Sequence, residues 1–281
     1  MTYHSSKPLS LFNITLKFIS SNVEDIETLI GFPEIVGKKI FDEFIFREKQ
    51  LAEDGVLFKN VSELTLSKIL HIFVTAYGYS VLRTLNLSYS LIVINEYFSS
   101  IIKLLPPLVE LCLCHCSLGN NHEITECISD MICLRKLCLK QNGLKNTVIR
   151  KISIPFRMFG KGPKHLECID LSDNPLTDEI IPWLIVFKKL RWINLSNTCI
   201  TDKGIKVLIK NGFSHYSNLK EITHPIVTEG WATVIIENWK NAHGLRLKSR
   251  KTIRGSRSLL EEKKYSNCGH LILFSTKNSG S

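Results

Sequence analysis

One eleven-residue pattern recurs along the middle of this chain and restricts its fold more than any other feature. Its clearest copy, LRKLCLKQNGL, starts at Leu134, has leucine at its first, fourth, sixth and last positions, and has Asn142 at the ninth. Copies with few departures start at residues 82, 108, 166 and 190, so successive starts are 26, 26, 32 and 24 residues apart. Such regular spacing indicates stacked structural repeats.

The pattern is the consensus of a leucine-rich repeat, in which each copy adds one short strand to a parallel sheet. Alternating apolar residues face a shared core. The polar ninth residue forms hydrogen bonds with backbone groups of the buried turn that would otherwise have no partner. The sequence therefore predicts a structural ladder through the turns, formed by Ser90, Cys116, Asn142, Asn174 and Thr198. In the same register, Leu171 faces the core and Ser172 faces outward, so an Asp should be tolerated only at Ser172.

Helical stretches between the copies predict an α/β solenoid, with parallel strands on the concave side and helices on the convex side. We expect four regions: a helical N-terminal cap region (1–78), the repeats (79–226, with a degraded sixth start at 219), a C-terminal capping helix (227–243) and a basic disordered tail (244–281). No apolar run is long enough for a membrane span. The N-terminal apolar stretch is interrupted by Asn13 and Lys17, so we expect an intracellular protein of the nucleus, the cytoplasm or both.

A cluster of cysteines in the second repeat suggests metal binding at first sight. Cys112, Cys114, His115 and Cys116 are close in sequence, and Cys138 lies beside Cys112 on the next predicted strand. A structural zinc site needs four converging ligands, which one strand face does not easily supply. We therefore expect no metal and no cofactor, and we interpret Cys112, Cys114 and Cys138 as reduced thiols on an exposed surface.

The outward positions of the strands form the candidate partner-binding surface. Arginine and tryptophan are among the residue types that most often anchor protein interfaces. The alternative is that these charged residues only keep the surface of the solenoid hydrated and bind no partner. The predicted binding residues on the concave face are Arg83, Glu110, Arg135, Lys136, Lys140, Asp170, Arg191 and Trp192.

Much of the chain's net charge of +10 lies in its last forty-one residues. Residues 241–281 hold nine Lys or Arg against two Glu, a net charge of +7. This segment has three alternative interpretations: a solvated tail, a non-specific nucleic-acid contact, or a nuclear import signal presented on an extended chain. The candidate import signal consists of Arg246, Lys248, Arg250, Lys251 and Arg254.

Two stretches that flank the repeats, FISSNVEDIETLIGFPE and VTEGWA, together with IDLSDNP and INLSNT, resemble the family of leucine-rich repeat-containing protein 42. The resemblance covers roughly residues 9–243. It implies an intracellular repeat protein without an assigned enzymatic activity, and members of the family have longer basic C-terminal regions.

The chain has no Gly-x-Ser-x-Gly elbow, phosphate-binding loop or acidic pair that would indicate catalysis, so we expect a non-enzymatic scaffold that binds a protein partner. The alternative is a substrate receptor of a cullin-type ubiquitin ligase, in which the N-terminal helices bind the adaptor. No F-box pattern supports that alternative. We expect a monomer.

Overall fold

The computed structural model describes residues 10–52, 55–215, 225–251 and 272–275. Three helices precede the repeats: α1 (Leu11–Ser21), α2 (Glu34–Leu51) and α3 (Glu63–Tyr77). The Ser10 and Ser62 side chains cap α1 and α3 by accepting backbone N–H groups. Edge-to-face packing of Phe41 against Phe73, with ring centroids 5.0 Å apart, joins α2 to α3.

The repeats form the parallel sheet that the pattern predicts. Its five strands are β1 (Thr84–Asn86), β2 (Glu110–Cys112), β3 (Lys136–Cys138), β4 (Cys168–Asp170) and β5 (Trp192–Asn194). They pair in chain order, and each repeat position lies beside its equivalent in the next repeat. The strand leucines and isoleucines that face the core are at most 2% exposed. The α/β leucine-rich-repeat fold is thus confirmed.

Short helices return the chain from one strand to the next. They are α4 (Leu91–Glu96), α5 (Phe98–Leu104), α6 (Ile124–Cys127), α7 (Asn146–Phe159), α8 (Ile181–Leu184) and α9 (Asp202–Lys210). Their buried residues join the strand leucines and the N-terminal helices in one continuous hydrophobic core. The N-terminal region is therefore packed onto the solenoid, as expected for a cap that covers the open end of a repeat stack.

The end of the chain departs from the predicted layout. Beyond α9 lie β6 (Phe213–His215), α10 (Thr233–Lys251) and β7 (Ile272–Ser275). The sheet order is β1-β2-β3-β4-β5-β7-β6, and β7 is antiparallel to both neighbours. The expectation that 244–281 is wholly disordered is wrong, because α10 continues to Lys251 and β7 pairs with the edge of β5. The predicted sixth start at Leu219 lies outside the described residues.

The segment predicted to cap the C-terminal end of the solenoid instead closes its N-terminal end. The Glu229 carbonyl accepts the Arg83 N–H (2.9 Å), and the Ala232 N–H donates to the Val81 carbonyl (2.9 Å). A Cβ on Gly230 would lie 2.5 Å from the Val81 carbonyl oxygen, so this approach requires glycine. The prediction failed because the open edge of β1 offers unpaired backbone groups that a distant segment can satisfy.

Candidate functional site

The turns at the end of the strands are held by a chain of buried polar side chains. The Asn174 amide donates to the Leu139, Leu171 and Ser172 carbonyls at 3.0 Å each, and its oxygen accepts the Asn142 and Leu144 N–H groups. Asn142 makes the same bonds one repeat earlier: its amide donates to the Leu113 carbonyl at 2.7 Å, and its oxygen accepts the Cys116 N–H at 3.0 Å. Each asparagine thus connects two repeats.

The non-asparagine members of the ladder differ in how far they reach. The Cys116 thiol donates to the Leu87 carbonyl in the preceding repeat at 3.0 Å, so it extends the ladder. Thr198 donates to Leu195 at 2.7 Å and Ser90 to Ser88 at 3.0 Å, both within their own repeats. A short hydroxyl therefore satisfies only its own turn.

The residue immediately before each ladder position adopts a left-handed backbone conformation. Its φ lies between 51° and 59° in all five repeats, although none of these residues is glycine: Tyr89, His115, Gln141, Asp173 and Asn197. The bonds of the ladder hold this otherwise unfavourable conformation. Two of the residues stack as neighbours, because the Tyr89 and His115 rings lie 4.4 Å apart with their planes 9° apart.

The charged residues of the concave face form ion pairs across the strands. Lys136 pairs with Glu110 at 2.7 Å, and Lys140 pairs with Asp173 at 3.4 Å. Exposed Arg135 pairs with Glu167 at 3.2 Å. Exposed pairs of this kind contribute little to stability, so they leave the surface charged and available to a partner.

Arg83 and Arg191 are exposed at opposite ends of this surface, whereas Asp170 and Trp192 are not available as predicted. Asp170 is half-buried, and its carboxylate accepts hydrogen bonds from Ser172 and Asn194. Trp192 is only 7% exposed, which contradicts its predicted role as an exposed anchor. The reason is that β7 pairs with β5 at Trp192, so this residue lies inside the sheet instead of at its edge.

A groove of about 750 Å³ lies beside the start of β1–β4 and brings several of the predicted residues together. Arg83, Glu110, Arg135 and Lys136 line it. Val109 and Glu167, at the second position of their repeats, also line it. Sequence reasoning missed its remaining walls, because they precede the repeat pattern and carry no signal of their own: Tyr79, Ile132, Cys133, Lys164 and His165. The groove thus combines apolar surface with charge of both signs.

The cysteines of the concave face are arranged differently from the prediction. Cys112 and Cys114 are only 7% and 9% exposed, so they are not surface thiols. The sulfur atoms of Cys112, Cys114 and Cys138 all lie within 4.8 Å of one another. Three thiols therefore converge, because equivalent positions of β2 and β3 are adjacent and Cys114 lies on the same face.

Hydrogen bonding among these three thiols makes their acidities unequal. The pKa of Cys112 is lowered, because the Cys114 and Cys138 thiols stabilise its thiolate by hydrogen bonding. The pKa values of Cys114 and Cys138 are raised, chiefly because each proton is held in a hydrogen bond to Cys112. The cluster therefore holds one thiolate more readily than three.

The predicted import residues lie in two settings. Arg246, Lys248, Arg250 and Lys251 are part of α10, whereas Arg254 lies outside the described residues. The expectation of an extended signal is therefore wrong for the first four residues. None of the helices in the described part of the chain has the length and apolar character needed to cross a lipid bilayer.

Comparison with known proteins agrees with this architecture. The leucine-rich repeat family model matches residues 162–181 and 188–208. The chain is similar to leucine-rich repeat-containing protein 42 of Homo sapiens, with 35% identity over 251 residues, which cover 86% of this chain and 56% of the human protein. The corresponding protein of Mus musculus is 34% identical over 87% of this chain and 57% of its own length.

The similarity extends to amphibians, with 32% identity to the Xenopus tropicalis protein over 89% of this chain and 59% of that protein. The chain thus spans somewhat more than half the length of these relatives. The chain belongs to the leucine-rich repeat proteins, and among them to the family of leucine-rich repeat-containing protein 42.

Proposed function

We propose that this protein is a non-enzymatic scaffold that binds a protein partner on its concave strand face. Its membership of the leucine-rich repeat proteins supports a role in protein interaction. The observation that carries the proposal is the groove of about 750 Å³, where Arg83, Arg135 and Lys136 surround the apolar side chains of Val109 and Ile132. Apolar area with charged residues around it is typical of a protein-binding surface.

Charge reversal on this surface tests the proposal. In the test variant Arg83, Arg135 and Arg191 are changed to Glu, and in the control Lys151, Arg157 and Lys206, which lie on helices, are changed in the same way. Proteins that co-purify with the wild-type chain from cells are quantified by mass spectrometry, and the principal partner is then titrated in purified form. We expect binding to be lost only in the concave variant. Equal binding by both variants would contradict the proposal.

A second candidate function, the ligase substrate receptor, is favoured by exposed apolar side chains on the N-terminal region. Leu11 is 79% exposed, Phe18 70% and Ile35 68%, with further exposed side chains at Phe12, Ile14, Ile30 and Phe32. Exposed apolar side chains in such number often mark a docking site. We infer that, if the protein is a ligase receptor, the adaptor binds here.

Removing residues 1–78 is an unsuitable test of that function, because the Leu57 N–H donates to the Asn238 side chain at 3.0 Å and Trp231 packs on Phe41. Deletion would expose the core around α10. Changing the exposed Leu11, Phe18 and Ile35 to Ser should preserve the fold, and adaptor and cullin subunits should then disappear from the purified complex. Their retention would rule out this site.

We also propose an intracellular location, with an import signal of which four residues, Arg246, Lys248, Arg250 and Lys251, belong to α10. Neutralising Arg246, Lys248, Arg250, Lys251 and Arg254 in a fusion too large for passive diffusion should move it from the nucleus to the cytoplasm. Nuclear accumulation of the neutralised fusion at the wild-type level would contradict the import role. Non-specific nucleic-acid binding by the same residues would instead appear as salt-sensitive retention on immobilised DNA.

A further inference from the structure

The three thiols of Cys112, Cys114 and Cys138 have the separations expected of metal ligands. Zinc–sulfur bonds of about 2.3 Å in tetrahedral geometry place the sulfur atoms about 3.8 Å apart. The three sulfurs here lie within 4.8 Å of one another, and Cys112 Sγ is 3.3 Å from Cys114 Sγ. Small rotations of the side chains would bring all three to one ion without movement of the strands.

The sequence places these ligands on rigid elements. Cys112 and Cys138 are paired residues of adjacent parallel strands, and Cys114 follows two residues after Cys112 on the same face. The neighbouring strand contributes Asp170, which lies beside Cys138 in the sheet and whose carboxylate is fixed by hydrogen bonds from Ser172 and Asn194. A charged acceptor held in this way can orient the side chains that bind a metal ion without binding the ion itself.

The number of thiols distinguishes metal binding from disulfide formation. A Cys112–Cys138 disulfide would join the two strands but would leave the Cys114 thiol unpaired in a buried position. One metal ion engages all three sulfurs, and the half-buried Cys138 leaves the cluster accessible from the concave face. Three thiolates favour a soft ion, either trigonal Cu(I) or Zn(II) with one further ligand.

We propose that Cys112, Cys114 and Cys138 form a binding site for one thiophilic metal ion, Cu(I) or Zn(II), that joins the second and third repeats. Each thiol that becomes a ligand loses its proton to solvent as the metal–sulfur bond forms, so affinity falls as the pH is lowered. The ion lies on the concave face, close to the charged surface of Lys136 and Lys140. This site is additional to the proposed partner-binding function and does not depend on it.

Metal titration of the full chain tests the proposal. The protein is purified anaerobically with reduced thiols, and its metal content is measured by elemental analysis. The metal-free chain is then titrated separately with Zn(II) and Cu(I) against chromophoric chelators. We expect one ion per chain, with ultraviolet charge-transfer absorption when the ion is Cu(I). The dissociation constant for each ion follows from its competition with the chelator, and the ion with the lower dissociation constant is the preferred metal.

Matched serine variants assign the ligands. Cys138→Ser should lower the metal affinity by more than about 100-fold, since loss of a ligand exceeds the usual effect of losing a residue that only orients a ligand. Cys168→Ser, on β4 beside Lys136 and outside the cluster, should bind as the wild type does. Cys138 is half-buried, so its serine variant should fold, and thermal unfolding of both metal-free variants checks this.

Three results would overturn the proposal. They are failure of the reduced chain to bind either ion at micromolar concentration, wild-type affinity in Cys138→Ser, and a Cys112–Cys138 disulfide in the chain isolated from cells under thiol-blocking conditions. The last result would identify the cluster as a disulfide with a neighbouring thiol.

Discussion

Trp239 stacks face to face on Tyr97, with ring centroids 4.4 Å apart and planes inclined by 9°. Trp239 belongs to the last described helix, and Tyr97 lies in the first repeat, so the end of the chain is packed against the beginning of the solenoid. His243 extends this contact by bonding the Glu96 carboxylate at 2.7 Å. These contacts thus hold α10 against the N-terminal end of the repeats.

Trp239→Ala should therefore unfold the N-terminal end of the repeats. Trp239 is 1% exposed, and truncation of a buried aromatic side chain costs about 3–5 kcal/mol of unfolding free energy. Trp183→Ala is the control, because Trp183 is half-buried and two arginines lie over its ring. Urea unfolding followed by circular dichroism should show a much larger loss for Trp239→Ala. Equal losses would mean that α10 is not part of the cooperative core.

Asn174→Ala should be among the most destabilising polar substitutions in the chain. Removing this side chain leaves backbone groups of Leu171, Asn142 and Leu144 unpaired in the core. Since each unsatisfied buried group costs about 1–3 kcal/mol, the total loss should exceed about 3 kcal/mol. The control is Asn197→Gly, which keeps the left-handed backbone and removes one exposed bond to Asp173. Similar melting temperatures for the two variants would contradict the role of the ladder.

Ser172→Asp should be destabilising, contrary to the prediction from the repeat register alone. Ser172 is 2% exposed, and its hydroxyl donates to Asp170 at 2.7 Å. A second carboxylate here would be buried beside the first, at a cost of about 3–5 kcal/mol. Lowering the pH should relieve part of this loss by protonating one of the pair. Ser117→Asp, at an exposed position, is the control, and equal thermal stability of the two variants would refute the prediction.

The pKa of His122 should lie below its usual value of 6.5. The main cause is desolvation by burial, and the neutral ring is also well bonded, with Asn95 at 2.9 Å from Nε2 and the Ile124 N–H donating to Nδ1 at 3.2 Å. The unfolded chain then binds the proton more readily than the folded chain, so His122 destabilises the fold as the pH falls below about 6.5.

The titration of His122 is measured by NMR through its ring protons, assigned with the His122→Gln variant. That variant should also lose less stability than the wild type between neutral and mildly acidic pH. A midpoint at or above the usual value would contradict the assigned hydrogen bonds.

The repeat pattern by itself determined the parallel sheet, its register, the buried leucines and the ladder positions. These follow from local chemistry, since an apolar alternation and a turn asparagine have the same consequences in every repeat. A helical N-terminal region was likewise predictable, because helical spacing and capping residues are local signals, whereas the bounds of α1 were not.

Only the tertiary structure decided which distant segments cover the edges of the sheet. The 229–232 segment pairs with β1, and β7 pairs with β5, which buries Trp192. The convergence of Cys112, Cys114 and Cys138 was also decided there, because side-chain direction and strand adjacency together set their separation. Such contacts depend on which strand edges remain unpaired after the repeats have stacked, and a local sequence pattern does not show which distant segment will pair with them.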